Sequence, residues 1–559
     1  MAYYSQAHIC QCLTRLSTVR RNSIVTIAGD RQKTGQQFVE DVLSLARGLL
    51  ELGLKSGDIV AICAFNSDWY LEWLLAVAFV GAIVAPLNYR WSFEEAKSAM
   101  LSVRPVLLVT DKSSNCWYSE LQSDAIPSLK WHGFLGSFEA SNILTTEMLR
   151  KNGMSTLQLD YSWAPECAVL ICFTSGTTGR PKGVVINHSA LIVQSLAKVA
   201  IVGYCEEDVY LHTTPLCHIG GLSSAMATLM VGACHVLIPK FEATLAAESI
   251  ELHRVTSLIT VPTILGDLIS LSRAKETSKG SQTVEKILNG GGSLSVALTN
   301  DVRKFFPRAK LLSAYGMTES CSSLTFMTLY NPTTETPSQL LFQTSSKVKS
   351  ASVNQPQGVC VGKPAPHIEL KVCTDGSFQI GRILTRGPHV MLRYWDQNPS
   401  TTLNHTNEVW LDTGDIGYID DSGNLWLIGR TNNRIKSGGE NVHPEEVESI
   451  LLQHPGVVAV IVLGIPDARL TEMVVACVKI KEGWQWSDND CEPPAENQLF
   501  LCSEILHDYC REKNLSGFKI PKRFVLWTKP FPLTTTGKIR RDQIRREVDS
   551  LFRFLPCSL

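Results

Sequence analysis

An excess of either charge is missing from this sequence: 52 Lys and Arg stand against 53 Asp and Glu in 559 residues, for a net charge of −1 and a pI of about 6.9. Without a broad positive field, neither a nucleic-acid backbone nor an anionic membrane has a surface to hold. Cys-x-x-Cys pairs are lacking as well. The 17 cysteines are odd in number and scattered, which excludes a zinc-ribbon site and a dithiol redox pair, so they are expected to be buried small hydrophobes in a reducing compartment. No apolar run reaches the ~20 residues that a membrane span requires. The longest, Trp73 to Leu87, contains Gly81 and Pro86 and predicts a buried helix followed by a strand. No repeat of solenoid length recurs. Acidic residues are absent before Asp30, whereas Arg15, Arg20 and Arg21 are present, a composition shared with transit peptides, although Ile24 to Asp30 reads as strand and turn. The ending Cys557-Ser558-Leu559 departs from the Ser-Lys-Leu peroxisomal address. These two features set the expected compartment as chloroplast and/or peroxisome.

What is present is ordinary globular material: 44% hydrophobic and 19% charged residues with a mean hydropathy of +0.04, far from disorder. The length allows several compact units. Short β-rich runs near Val106, from Ala168, from Ser257 and from Ala309 alternate with helical stretches. That alternation predicts an α/β fold with a large N-terminal domain of mainly parallel sheets flanked by helices, residues 1–430, and a small α+β C-terminal domain, residues 431–559. The polar, glycine-rich segment from Gly429 to Pro444 is the expected linker. Asn331 to Ser350 and Ser487 to Gln498 read as solvated loops.

One segment carries chemistry by itself. Thr174 to Gly183 reads T-S-G-T-T-G-R-P-K-G and follows the buried run Ala168 to Phe173. Glycines let main-chain N–H groups approach an anion, and Thr and Ser hydroxyls add donors. The segment is expected to cradle phosphate through Thr174, Ser175, Gly176, Thr177, Thr178, Gly179 and Lys182. It is not the Walker pattern: Pro181 precedes the lysine and no hydroxyl follows it, which disfavours a P-loop kinase or GTPase. A bare surface turn is the bland alternative.

That segment resembles the phosphate-binding signature of the adenylate-forming superfamily, which contains acyl-CoA synthetases, luciferases and peptide-synthetase adenylation domains. Six further segments fall in that superfamily's order: Pro215 to Leu222, Asn289 to Ser293, Tyr315 to Glu319, Trp410 to Asp415, Gly429 to Glu440 and Pro532 to Lys538. The likeness spans nearly the whole chain. It implies an ATP-dependent acid–CoA ligase working with ATP, Mg²⁺ and coenzyme A on a small carboxylic acid, with neither nucleic acid nor an integral membrane segment involved.

The resemblance also assigns roles. Glu319 would hold Mg²⁺, Thr318 would contact the α-phosphate, Tyr315 with Gly316 and Met317 would line adenine, and Asp415 and Arg430 would hold the ribose. Gly290, Gly291 and Gly292 leave room for a planar acid beside adenine, a tight turn being the bland alternative. Lys538 would bridge carboxylate and α-phosphate, then give way as the small domain rotates and brings in Lys436, Gly438, Gly439 and Glu440 for the thiol step. His218 is expected at the pocket wall, although a core histidine is the alternative. His218, Ser223, Ser322 and Ser323 are the polar donors expected to meet an acid with a second carboxylate, with Gly291 beside them. An acid without that group, of the coumarate or medium-chain fatty kind, stays open, as do a non-catalytic adenylate binder and a carrier-loading module. Three positions depart from the superfamily's usual residues: Asn432 at the hinge, and Arg382 and Arg393, which are expected to stand apart from the chemistry.

Overall fold

The computed structural model describes residues 7–113, 125–136, 144–152, 160–174, 181–275, 282–334, 358–374, 380–397, 409–430, 434–487, 499–532 and 539–553. The chain divides into two compact units, the larger built on Met1–Tyr89, Ala96–Thr174 and Lys182–Thr431, the smaller mainly on Asn432–Leu559.

The larger unit holds a 13-stranded and an 8-stranded sheet. In the first, Ile24–Ala28, Cys234–Leu237, Val209–His212, Ser257–Thr260, Lys286–Asn289 and Lys310–Met317 lie side by side and parallel. Helices join these strands, and parallel pairing demands such crossovers. The last is Val296–Phe305; past Met317 the chain turns straight back into Ser322–Tyr330, and this part of the sheet continues antiparallel through Leu411–Ile419 and Leu425–Arg430. The second sheet is parallel from Ala168–Thr174 through Ile83–Pro86, Ile59–Cys63 and Leu107–Thr110, with Lys182–Asn187 returning antiparallel at one side. The sequence's alternation thus marks the parallel interiors, and the antiparallel flanks arise where crossover helices stop. Trp73 to Leu87 folds as expected into the end of helix Asp68–Phe79 and strand Ile83–Pro86, all of it buried.

Helix His188–Val202 carries polar side chains into the core beside apolar ones. Asn187 caps it by accepting from the Ala190 N–H at 2.8 Å, and Gly203 ends it at φ +88°, the usual left-handed stop. Ala190, Leu191 and Ala197 are buried, and so are Gln194, Ser195 and Lys198.

In the smaller unit Val457–Asp467 pairs along its length with Thr471–Ile480, and Arg523–Leu526 runs parallel to the latter. Alternate side chains point to opposite faces of a strand, so Val460 and Val462 meet Val447 and Leu506, whereas Ile461 and Leu463 meet Ile544 and Val548. Helices thereby cover both faces. The expected linker is corrected here: Ile435–Ser437 and Glu440–Val442 form a hairpin of this sheet, with Ile435 and Val442 buried in its core. Asn432 lies outside the described residues, as do 335–350 and 488–498 of the two expected loops. Among the described residues every cysteine is a free thiol and no helix is long and apolar enough to cross a membrane.

Candidate active site

Lys310–Met317 ends in a single 3-10 turn, Thr318–Ser320, and the chain reverses through Cys321 at φ +53° and Ser322 at φ +109°. The Met317 N–H donates to Ser320 Oγ at 3.2 Å, and the Glu319 carbonyl accepts from the Met391 N–H at 2.8 Å. Only glycine fits at 316. A Cβ there would sit 1.6 Å from the Ser322 carbonyl oxygen. The tight reversal fixes Glu319 at the end of the sheet's last parallel strand, where ligands bind in open α/β folds.

The hydroxyl of Tyr394 donates to Glu319 Oε1 at 2.9 Å, while Oε2 is buried with no partner among the described residues. A buried carboxylate oxygen left unpaired is costly. Mg²⁺ commonly binds through one or two carboxylates together with substrate phosphates, so the orphaned oxygen fits that ion. No group of three or more His, Cys, Asp or Glu among the described residues could cage an ion unaided. Tyr394 itself lies in the short strand Arg393–Tyr394 against Val184 and Val185, and its ring faces the Lys182 ammonium at 5.4 Å. Lys182 in turn stands opposite Thr174 in the antiparallel pairing of Ala168–Thr174 with Lys182–Asn187. Ser175, Gly176, Thr177, Thr178 and Gly179 lie outside the described residues.

Of the residues expected to meet the nucleoside, Tyr315 and Asp415 are both buried and joined, the phenol donating to Asp415 Oδ2 at 2.6 Å. Asp415 also lies opposite Arg430 in the strand register. Gly290, Gly291 and Gly292 follow strand Lys286–Asn289, with Gly291 at φ +72° and the Asn289 amide donating to the Gly292 carbonyl at 2.8 Å. A Cβ on Gly290 would meet nothing within 4 Å. Gly290 therefore borders open space.

The four expected acid-pocket donors occupy two elements. His218 is the N-cap of helix Ile219–Val231, Ser223 sits in that helix's second turn, and Ser322 and Ser323 begin the returning strand. A residue missed in the sequence ties two of them, Ser223 and Ser322, together. Lys198 is fully buried, and its ammonium donates to Ser223 Oγ at 2.6 Å, Ser224 Oγ at 2.9 Å and Ser322 Oγ at 3.2 Å. Burial pushes this lysine down from 10.5 to about 7. One turn earlier Gln194 donates to the carbonyls of Ser320 and Ser323 at 2.9 and 2.7 Å. A lone lysine within the apolar run Leu196 to Val202 was the signal available.

In the smaller unit, Lys436 lies in the first strand of the hairpin whose turn is Gly438 at φ +59° and Gly439 at φ +85°. Two successive positive φ values define the type I′ turn that two-residue hairpins favour. The Lys436 N–H donates to Glu472 Oε2 at 2.7 Å, and Glu440 is buried. Lys538 lies outside the described residues.

Arg382 pairs with Asp412 at 2.8 Å. Arg393 has a structural role. Its guanidinium pairs with Glu166 at 2.7 Å and donates to the carbonyls of Tyr394, Trp395 and Gln397. It thus holds the strand that presents Tyr394 to Glu319, and these bonds reach none of the expected site residues.

Known proteins share this architecture. A family described as AMP-binding enzyme matches residues 15–395, and the AMP-binding enzyme C-terminal domain matches 446–538. A 2-succinylbenzoate–CoA ligase, chloroplastic/peroxisomal, of Arabidopsis thaliana is 58% identical over 572 residues, covering 100% of both chains. An indoleacetate–CoA ligase of Aromatoleum aromaticum is 30% identical, over 93% of this chain and 94% of its own. Among solved structures, an o-succinylbenzoate CoA synthetase from Bacillus subtilis bound with a product analogue matches with a TM-score of 0.73 at 26% identity, over 96% of this chain and 98% of that one. The same synthetase in complex with its acyl-adenylate intermediate gives 0.61, over 96% and 97%. The chain belongs to the AMP-binding enzyme family.

Proposed function

We propose that this chain is an ATP-dependent acid–CoA ligase that converts 2-succinylbenzoate to 2-succinylbenzoyl-CoA through an acyl-adenylate, a step of phylloquinone biosynthesis. The observation that carries the reading is the 58% identity, over the full length of both chains, to the plant ligase of that name.

A carboxylate is a poor acyl donor because its leaving group would be oxide. Its oxygen attacks the α-phosphorus of ATP, pyrophosphate departs, and AMP becomes a good leaving group; the sulfur of coenzyme A then attacks the acyl carbon and AMP leaves. Two anions must meet in the first step, so fixed donors and positive charge dominate catalysis. Glu319 would hold Mg²⁺ through its unpartnered oxygen, and the ion when bound neutralises phosphate charge. Tyr394 keeps the carboxylate aimed. Asp415 accepts from the ribose hydroxyls, Lys182 and the Thr174 segment take the outer phosphates, and Thr318 meets the α-phosphate. Lys538 bridges carboxylate and α-phosphate in the first step. Rotation of the smaller unit then replaces it by the Lys436 hairpin, whose glycines leave room for the pantetheine arm. Working compartments would be the chloroplast and/or the peroxisome, in line with the name of the Arabidopsis relative.

Purified protein is offered 2-succinylbenzoate, 4-coumarate and hexanoate with ATP and CoA, and thioester and AMP are measured. Preference for 2-succinylbenzoate is the expected result. Preference for coumarate or hexanoate would overturn the substrate, and no AMP or pyrophosphate with any acid would overturn the ligase.

A further inference from the structure

Lys198 is the most unusual charge in the described part of the larger unit. Its side chain is 0% exposed, yet its partners are neutral oxygens: three serine hydroxyls and, at 3.5 Å, the Gly220 carbonyl. Buried ammonium groups are ordinarily paired with an anion, because desolvating a lone charge is expensive. The titratable group facing it is the Cys321 thiol, itself pushed up to about 12 by burial and therefore neutral. A second positive element points the same way. Gly220, Ser223 and Ser224 belong to the first turns of helix Ile219–Val231, whose N-terminus carries partial positive charge, and the His218 side chain makes no cap there. Ammonium and helix terminus thus converge on one spot with no protein carboxylate beside them among the described residues.

The hydroxyls differ in what they have left to give. Ser223 Oγ donates back to the Ile219 carbonyl at 2.7 Å and Ser224 Oγ to the Gly220 carbonyl at 2.9 Å. Ser322 Oγ accepts from Lys198, and its other contact is the Ser323 hydroxyl at 3.4 Å. Its proton is not committed to any backbone carbonyl. Ser322 also retains 9% exposure, more than Ser223 or Ser224, which have none. It is therefore the hydroxyl of the three that can accept from the lysine on one side and donate to a ligand on the other.

We propose that Lys198, acting through Ser322, is the specificity-determining cation of the acid pocket and recognises the second, non-reacting carboxylate of an aromatic dicarboxylic acid. This rests on 2-succinylbenzoate being the substrate. An acid without that carboxylate offers no anion to stabilise the protonated lysine and forgoes that attraction, so the site discriminates against it.

The test compares kcat/KM for 2-succinylbenzoate with that for a mono-acid analogue. 4-Oxo-4-phenylbutanoate lacks the ring carboxylate and 2-butanoylbenzoate lacks the chain carboxylate; whichever retains the reacting group and forms thioester serves as the probe. In Lys198→Met the diacid-to-probe ratio is expected to fall at least tenfold, about the worth of one lost charged hydrogen bond, with Lys198→Arg recovering part of it. Ser322→Ala, a smaller change that keeps the buried lysine, is expected to lower the ratio several-fold and carries the comparison if Lys198→Met does not fold. A merely structural lysine would depress both acids alike, and a ratio unchanged within twofold in either folded variant overturns the proposal. Wild-type protein that forms thioester from other acids but not from 2-succinylbenzoate overturns the substrate reading itself, and the inference with it.

Discussion

Two glycine-to-alanine substitutions separate what the fold needs from what the ligands need. At Gly316 an added methyl carbon would lie 1.6 Å from the Ser322 carbonyl oxygen, 2.6 Å from the Ser322 carbonyl carbon and 2.8 Å from Ser323 Cα. All three are backbone atoms, so no rotamer change relieves the clash. The strands must part by roughly 1 Å or more, and ordinary overpacking already costs about 1–3 kcal/mol; Gly316→Ala is expected to cost about 3 kcal/mol or more. At Gly290 the added carbon meets nothing within 4 Å and no positive φ opposes it, so stability should change by no more than ~0.5 kcal/mol. The space it fills is where a planar reactant is proposed to lie, and acid-dependent pyrophosphate exchange should fall about tenfold or more, the kinetic equivalent of ~1.4 kcal/mol of steric cost. Thermal melts and exchange rates on both variants decide the matter. A Gly316→Ala protein as stable as wild type would refute the steric argument, and a Gly290→Ala protein with undiminished exchange would refute the placement of the reactants.

Tyr394→Phe removes the 2.9 Å hydrogen bond to Glu319; bonds to charged groups are worth ~1.5–3 kcal/mol, so the Mg²⁺ concentration for half-maximal exchange should rise about tenfold, and an unshifted Mg²⁺ curve would count against Glu319 as the ion's ligand. Lys538→Ala should lose adenylation by about 10²–10³-fold while still converting supplied acyl-adenylate to thioester; intact adenylation would remove that lysine from the mechanism. Lys436→Ala should impair the thioester step more than adenylation, read by single-turnover assays of each half-reaction. Burial lowers Lys198 from 10.5 to about 7, so between those values the unfolded chain holds a proton that the folded one has released, and the lysine's contribution to stability rises with pH. Thermal melts of wild type and Lys198→Met should show a difference that moves in favour of wild type from about pH 7 upward, and a flat difference would contradict a depressed lysine.

The parallel interiors were legible where an apolar β run is followed by a helical period, as Ser257–Thr260 is by Pro262–Lys275; Ala168–Thr174 is followed instead by the antiparallel Lys182–Asn187. Pairing direction beyond Met317 was not legible, since short turns leave no crossover helix to read. The Ile435–Val442 hairpin was mistaken for linker because three-residue strands around Gly438-Gly439 carry too few apolar residues to register. In the site, Glu319, Tyr315 and Asp415 stood in recognisable segments, and the structure joins the last two by a hydrogen bond. Tyr394 and Lys198 were invisible for a common reason: each acts on partners 75 and 25 or more residues away in sequence, and no local pattern records such a meeting.

The Arg393–Glu166 pair also bears on how this enzyme can be changed. Glu166 adopts φ +57°, an uncommon conformation for a side-chain-bearing residue, and its carboxylate anchors the guanidinium that splints Tyr394, Trp395 and Gln397. Either half transplanted alone into a relative would arrive with an unmatched charge. Engineers swapping segments among such ligases must therefore move these two distant positions as one unit of inheritance.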